Sequence, residues 1–184
     1  SELNFVEALP RIHKENHYMD TNKLTAKSRD AVTGALRQAL ANGNPQAEPV
    51  HLLHALLMVP DNTVGPLLTS LGADASAIDA AAVAAAGKLP SSSGASVSQP
   101  QISGSLARVL ADAETRAEQM GDQFVATEHL LIALATVPSD AQRILTGAGV
   151  LPEKLVTQFN EARGGKRVTS EAAEGGESAL EKYS

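Results

Sequence analysis

The stretch Pro49-Val50-His51-Leu52-Leu53-His54-Ala55-Leu56-Leu57-Met58-Val59-Pro60 is written twice in this chain. Its second copy reads Thr127-Glu128-His129-Leu130-Leu131-Ile132-Ala133-Leu134-Ala135-Thr136-Val137-Pro138. Seven of the twelve aligned positions are identical, at a constant offset of 78 residues. Agreement at one fixed spacing marks an internal repeat, whose units bury their apolar faces against each other.

The register extends outward from both copies. Upstream, Leu24 falls on Ile102, Ser28 on Leu106, Ala31 on Val109, Ala35 on Ala113, Ala39 on Ala117 and Gly43 on Gly121. Downstream the second copy loses one residue, after which Leu68 falls on Leu145, Gly72 on Gly149 and Ile78 on Leu155. Repeat one therefore covers residues 24–89 and repeat two residues 102–163.

Each copy reads as four helices. In the first, Thr25 is a suitable N-cap for a helix running to about Ala41, with Ala31, Ala35 and Ala39 on one apolar face. Gly43 suits the left-handed position that closes it. Pro49 fits the first turn of the second helix, where a missing N–H costs nothing. That helix is apolar nearly all round, which predicts a central, buried position. A third helix runs from Val64 to Leu71, and Asp74 caps a fourth that continues to Leu89. In the second copy Ser103 opens helix five, Thr127 is expected to cap helix six, helix seven spans 140–148, and helix eight starts at Pro152. The predicted fold class is all-α: two pseudo-twofold-related four-helix repeats, eight helices in total, joined by a Ser/Pro/Gly-rich linker over 90–101.

The double repeat thus occupies residues 22–163. Residues 1–18 lie outside it and read as a leader or extension, although Leu3 to Leu9 has enough apolar character to lie in a groove. Residues 164–184 read as a connector, polar to Gly176, with a short helical turn expected over Glu177 to Tyr183. The absence of a closing signal at Ser184 reads as a fragment of something longer.

Composition narrows the function. With no Cys there are no disulfides, thiolate metal sites or Cys nucleophile. A net charge of −6 and the absence of Trp argue against nucleic acid as a partner. Within the repeats the aromatics are Phe124 and Phe159, too few for a stacking platform. No apolar run reaches the ~20 residues that span a membrane, and the first residues carry no apolar signal core. The expected compartment is the cytoplasm.

The motifs that invite chemistry fail on inspection. Gly164-Gly165-Lys166 lacks the earlier Gly of a phosphate loop, since Asn160 stands there, and Arg167 replaces the magnesium-binding Ser or Thr. His51 and His54 are three apart on one helix, but the second copy has Ile132 in place of His54. A structural role shared by His51 and His129, bonding backbone, is the favoured reading over a metal site. Glu128 and Asp122 have Val50 and Asn44 as their counterparts, so these carboxylates are particular to the second copy. They read as a first-turn carboxylate and a turn residue, or as an acidic rim facing a substrate. A hydrolase built on His129 and Glu128 lacks a placed nucleophile.

The His-Leu-Leu-x-Ala-Leu signature in both copies resembles the Clp amino-terminal domain family. Gln99-Pro100-Gln101-Ile102-Ser103, Gly121-Asp122-Gln123-Phe124 and Glu128-His129-Leu130-Leu131 strengthen that resemblance, as does the Arg163-Gly164-Gly165 tail. Among its branches the chain is most similar to the ClpB type, the AAA+ disaggregases. The resemblance implies a non-catalytic domain that engages exposed segments of unfolded or aggregated polypeptides and passes them to a hexameric ATPase ring. It implies no cofactor here: ATP and magnesium belong to ATPase modules outside this sequence, as do contacts with a DnaK-type chaperone. The alternative is an adaptor-docking domain of a ClpC- or ClpA-type unfoldase. By motif, the family's binding positions carry over to Thr25, Asp122 and Glu128, with Phe124 and Leu131 as apolar lining. Helix five departs from some relatives in carrying Asp112 and Arg116 where they carry Leu.

Overall fold

A computed structural model describes residues 21–92 and 99–174. The whole of the leader, the middle of the linker and the expected turn over 177–183 lie outside the described residues. A short 3-10 turn, Thr21–Lys23, precedes the helices. Repeat one supplies α1 (Ala26–Ala41), α2 (Pro49–Met58), α3 (Val64–Ser70) and α4 (Ala75–Gly87). Repeat two supplies α5 (Gly104–Gln119), α6 (Thr127–Thr136), α7 (Asp140–Gly147) and α8 (Pro152–Arg163).

Local chemistry sets most of these limits. The Thr25 hydroxyl accepts the Ser28 N–H at 3.2 Å and starts α1, as Ser103 starts α5 by accepting the Leu106 N–H at 3.0 Å. Asp74 accepts the Ser76 and Ala77 N–H groups and starts α4. Gly43 and Gly121 close α1 and α5 at φ +71° and +77°, a left-handed conformation that a Cβ resists.

Thr127 does not cap α6 as expected. It is the first residue of the helix, and Ala126 occupies the cap position without a polar side chain. The capping atom comes from inside the helix. His129 Nδ1 accepts the Ala126 N–H at 2.8 Å, and His51 Nδ1 accepts the Glu48 N–H of α2 at the same distance. A single orphan donor of each central helix is satisfied in this way.

The two central helices carry the core. Leu52, Leu53 and Leu56 of α2 are fully buried, and α6 is buried from Thr127 through Ala135. Within each repeat α1 packs on α2 and α5 on α6; across the pseudo-twofold α2 meets α6 and α7, α4 meets α7, and α3 meets α8.

The repeats are also stitched together by backbone, which helical periodicity alone does not predict. Before α2, β1 (Gln46–Ala47) runs parallel to β2 (Gln101–Ile102), which leads into α5. The symmetry mate of this pair is a parallel bridge between Leu24, leading into α1, and Val125, leading into α6. Thr25 N–H donates to Val125 C=O at 3.1 Å, and Ser103 N–H donates to Ala47 C=O at 3.1 Å. The entrance to each repeat's first helix is thus bonded to the entrance of the other repeat's second helix.

Leu131 of α6 is fully buried in this core. Truncation to alanine opens a cavity in the core, so Leu131→Ala is expected to lower unfolding free energy by about 2–5 kcal/mol, as read by urea denaturation.

Candidate functional site at the seam between the repeats

The site is built on the two buried histidines. With Nδ1 accepting a backbone N–H, the proton of each neutral ring resides on Nε2. His51 Nε2 then donates to Asn44 Oδ1 at 3.0 Å, and His129 Nε2 to Asp122 Oδ2 at 2.8 Å. Burial, and then the neighbouring His54, push the His51 pKa down to about 4, so this ring is neutral at pH 7. Both ring nitrogens of His129 are committed and the ring is fully buried, so His129 has no free nitrogen to act as a general base. His54 diverges from His51 and pairs with Asp79 at 2.6 Å.

The difference between Asn44 and Asp122 follows from what each must hold. The chain leaving repeat one passes over Gly43, where Ser92 N–H donates to Gly43 C=O, and Asn44 Nδ2 donates to Pro90 C=O at 2.9 Å. An amide can supply that donor; a carboxylate cannot. The chain leaving repeat two presents donors instead. Asp122 accepts two hydrogen bonds from Arg163 Nη1 at 2.8 Å and one from Val168 N–H at 2.9 Å. Burial alone raises the Asp122 pKa, but the bonds from His129, Arg163 and Val168 outweigh it and hold the carboxyl below its ordinary range. Arg163 also lies 4.4 Å over the Phe159 ring, which meets His129 edge-on.

The bridge between Leu24 and Val125 brings the N-termini of α1 and α6 side by side. One carboxylate, that of Glu174, fills the space between them. It accepts from the Thr25 hydroxyl, from Thr127 N–H at 2.7 Å, and from the Thr127 hydroxyl. Glu128 is adjacent, accepting from the Thr63 hydroxyl at 2.7 Å, with its other oxygen 3.2 Å from Thr127 Oγ1. Burial, and then the nearby Glu174 carboxylate, push the Glu128 pKa up to about 7.

The expected residues therefore separate into two groups. Thr25, Asp122 and Glu128 do lie along one seam, and all three are buried there. The carboxylates are not an open acidic rim: Asp122 is enclosed by His129, Arg163 and Val168, and Glu128 is buried against Thr63 and Glu174. Phe124 is half-buried beside residues 165–174, its N–H donating to Val168 C=O at 3.3 Å. Leu131 lies in the core and offers no surface to a client, a correction that follows from α6 being buried on every side. Sequence reasoning missed Thr63, Arg163 and Glu174 as members of the site. For Glu174 no local pattern signals a role, because its partners are about 50 and 150 residues away.

The geometry defines a class: a pseudo-twofold helical double repeat that holds a polypeptide segment in its seam. The chain belongs to the Clp N-terminal domain family, since the profile described as "Clp repeat (R) N-terminal domain" matches residues 23–162. The chaperone protein ClpB of Propionibacterium freudenreichii subsp. shermanii is 68% identical over 166 residues, covering 90% of this chain and 19% of that protein. The chain thus spans about a fifth of the length of such relatives. The Hsp104 N-terminal domain from Candida albicans has the same fold, with a TM-score of 0.70 at 24% identity over 83% of this chain and 99% of that one. A ClpV N-domain in complex with a VipB peptide gives a TM-score of 0.61 at 20% identity, over 80% of this chain and 91% of that one.

Two substitutions probe the carboxylates. Asp122→Ala strips the acceptor from His129 and leaves Arg163 without its partner; the expected cost is about 3–5 kcal/mol. Asp122→Asn retains an acceptor for His129, as Asn44 does for His51, and the expected cost is about 1–3 kcal/mol. Urea denaturation of both variants checks the order.

For Glu128 the folded pKa of about 7 lies above the reference value of 4.5. The folded state therefore holds the proton more tightly, and the cost of ionisation grows between those two values as pH rises. Glu128→Gln is expected to match the parent in stability below pH 4.5 and to exceed it at pH 8 by on the order of 1–3 kcal/mol, read from Tm across that range.

Proposed function

We propose that this chain is the client-engaging amino-terminal module of a ClpB-type disaggregase. It binds exposed segments of unfolded or aggregated polypeptides at the seam and passes them to an ATPase ring formed by other parts of the protein. The observation that carries this reading is that the seam already accommodates a stretch of polypeptide, residues 165–174, against Thr25, Asp122, Phe124 and Thr127. It bonds that stretch through backbone groups as well as side chains, which is how a site recognises peptide without demanding one sequence. The ClpV N-domain seen with a VipB peptide supports the same use of this fold.

The chemistry of the whole assembly lies elsewhere in this proposal. ATP and magnesium act in the ATPase modules, as does any contact with a DnaK-type chaperone, and the protein works in the cytoplasm. Among the described residues no single helix is long and apolar enough to cross a membrane. An isolated seam gives weak binding, and repetition around a hexamer multiplies it. The 68% identity to a ClpB chaperone favours this reading over adaptor docking in a ClpC- or ClpA-type unfoldase.

The test is a two-dimensional NMR titration with a chemically unfolded client and, in parallel, with a folded control. Shifts confined to the unfolded client and centred on Thr25, Phe124 and Thr127 are expected. Binding of a folded protein with higher affinity than the client is the result that would overturn client capture in favour of adaptor docking.

A further inference from the structure

The segment that covers the seam is held almost entirely by polar bonds. Val168 is buried, and Lys166, Arg167, Thr169, Glu171 and Ala172 are exposed. Val168 N–H donates to Asp122, and Val168 C=O accepts from Gln123 N–H at 2.8 Å. Glu171 C=O accepts from Ala26 N–H at 2.9 Å, at the first turn of α1. The Glu171 carboxylate meets Arg29 Nη1 at 2.8 Å. One turn further on, Glu174, only 8% exposed, enters the space between the α1 and α6 N-termini.

Resting on the client-engaging reading above, we propose that residues 168–174 are a built-in occupant of the client site, and that this site is matched to an acidic turn carrying two carboxylates three residues apart.

Three features of the seam support that match. Its deepest groups are donors: the Thr25 hydroxyl and both the N–H and hydroxyl of Thr127. They sit at two helix N-termini, where the partial positive charge favours an anion. A buried carboxylate is already seated on them, so the preference does not rest on helix ends alone. Arg29 supplies a cationic contact at the rim, to the second carboxylate, Glu171.

The symmetry mate keeps one deep hydroxyl, that of Ser103 in place of Thr25, and lacks the rest. Pro49 stands where Thr127 offers an N–H, and Val50 where Glu128 stands. Duplication alone therefore did not create the site.

The occupant is also exchangeable. Its hydrogen bonds can be replaced one for one by those of an incoming acidic segment, with little net cost. Glu128 lies against the same Thr127 hydroxyl and competes with Glu174 for its one proton. A tethered segment competes at an effective concentration of roughly millimolar, so a client must outcompete it and binds with reduced apparent affinity.

The test uses the full chain carrying Glu174→Ala, with Glu174→Gln as the milder variant should the first fail to fold. The probes are a nine-residue peptide copying residues 166–174 and its twin with glutamine at both acidic positions. The readouts are the amide signals of Thr127 and Ala26 by NMR. Removing the carboxylate is expected to shift the Thr127 amide. The acidic peptide is then expected to restore it at a concentration about tenfold lower than it needs to perturb the parent protein, with no restoration by the twin. Equal binding of both peptides, or an unmoved Thr127 amide in both variants, overturns the proposal. If an unfolded client still shifts the seam amides in that case, client capture stands without a built-in occupant. If the acidic peptide restores the signal but an unfolded client touches neither protein, the competition with clients is overturned and the client reading falls with it.

Discussion

A neutral imidazole buried at the start of each central helix is the contact on which the rest of the structure hangs. His51 and His129 each take a backbone N–H at Nδ1 and give a proton from Nε2 to a side chain in the turn after the preceding helix. One ring therefore ties the cap of α2 or α6 to the turn that closes α1 or α5. The same Asn or Asp also holds the chain as it leaves the repeat. Three segments distant in sequence are fixed by one side chain and its partner. A Leu at this position fills the space equally well, but it satisfies none of those buried polar groups, each worth roughly 1–3 kcal/mol when left unpaired.

With α2 and α6 so oriented, the entrances to the helices fall into register. The parallel pairs at Ala47–Ile102 and Leu24–Val125 are reciprocal, and they place two helix N-termini together on each side of the molecule. On one side these termini are unremarkable. On the other, Thr127 and Glu128 replace Pro49 and Val50, and the N–H groups become available to a carboxylate. The scaffold is symmetric and the chemistry is not. The cost of burying Glu174 and Glu128 within reach of each other is offset by hydroxyl and N–H donors, and by a Glu128 that retains its proton more readily than an exposed carboxylate.

This arrangement also explains why the seam residues were easier to locate than to interpret. Thr25, Asp122 and Glu128 were legible through the repeat comparison and a family resemblance, and the structure brings them to one seam. Their environment was not legible. Asp122 reads as an acidic group available to a partner, yet it is saturated by His129, Arg163 and Val168. Leu131 reads as a candidate lining residue because apolar side chains in a repeat look alike; burial separates it from Phe124. Thr127 reads as a cap because Thr before an apolar helix commonly is one. The histidine two positions later had already taken that role.

The sequence by itself determined the helices, most of their ends and their duplication. Apolar spacing, left-handed glycines and capping side chains act within a few residues, so they are written locally. It also determined, through the fixed offset, that His51 and His129 play one part. Tertiary structure alone decided which residues face each other across the pseudo-twofold, that backbone pairs join the repeats, and that the tail returns to place Glu174 on α1 and α6. Those contacts join segments 46 to 149 residues apart. No periodicity records them, because they depend on where the packed helices bring the chain and on which buried donors remain without a partner when it arrives.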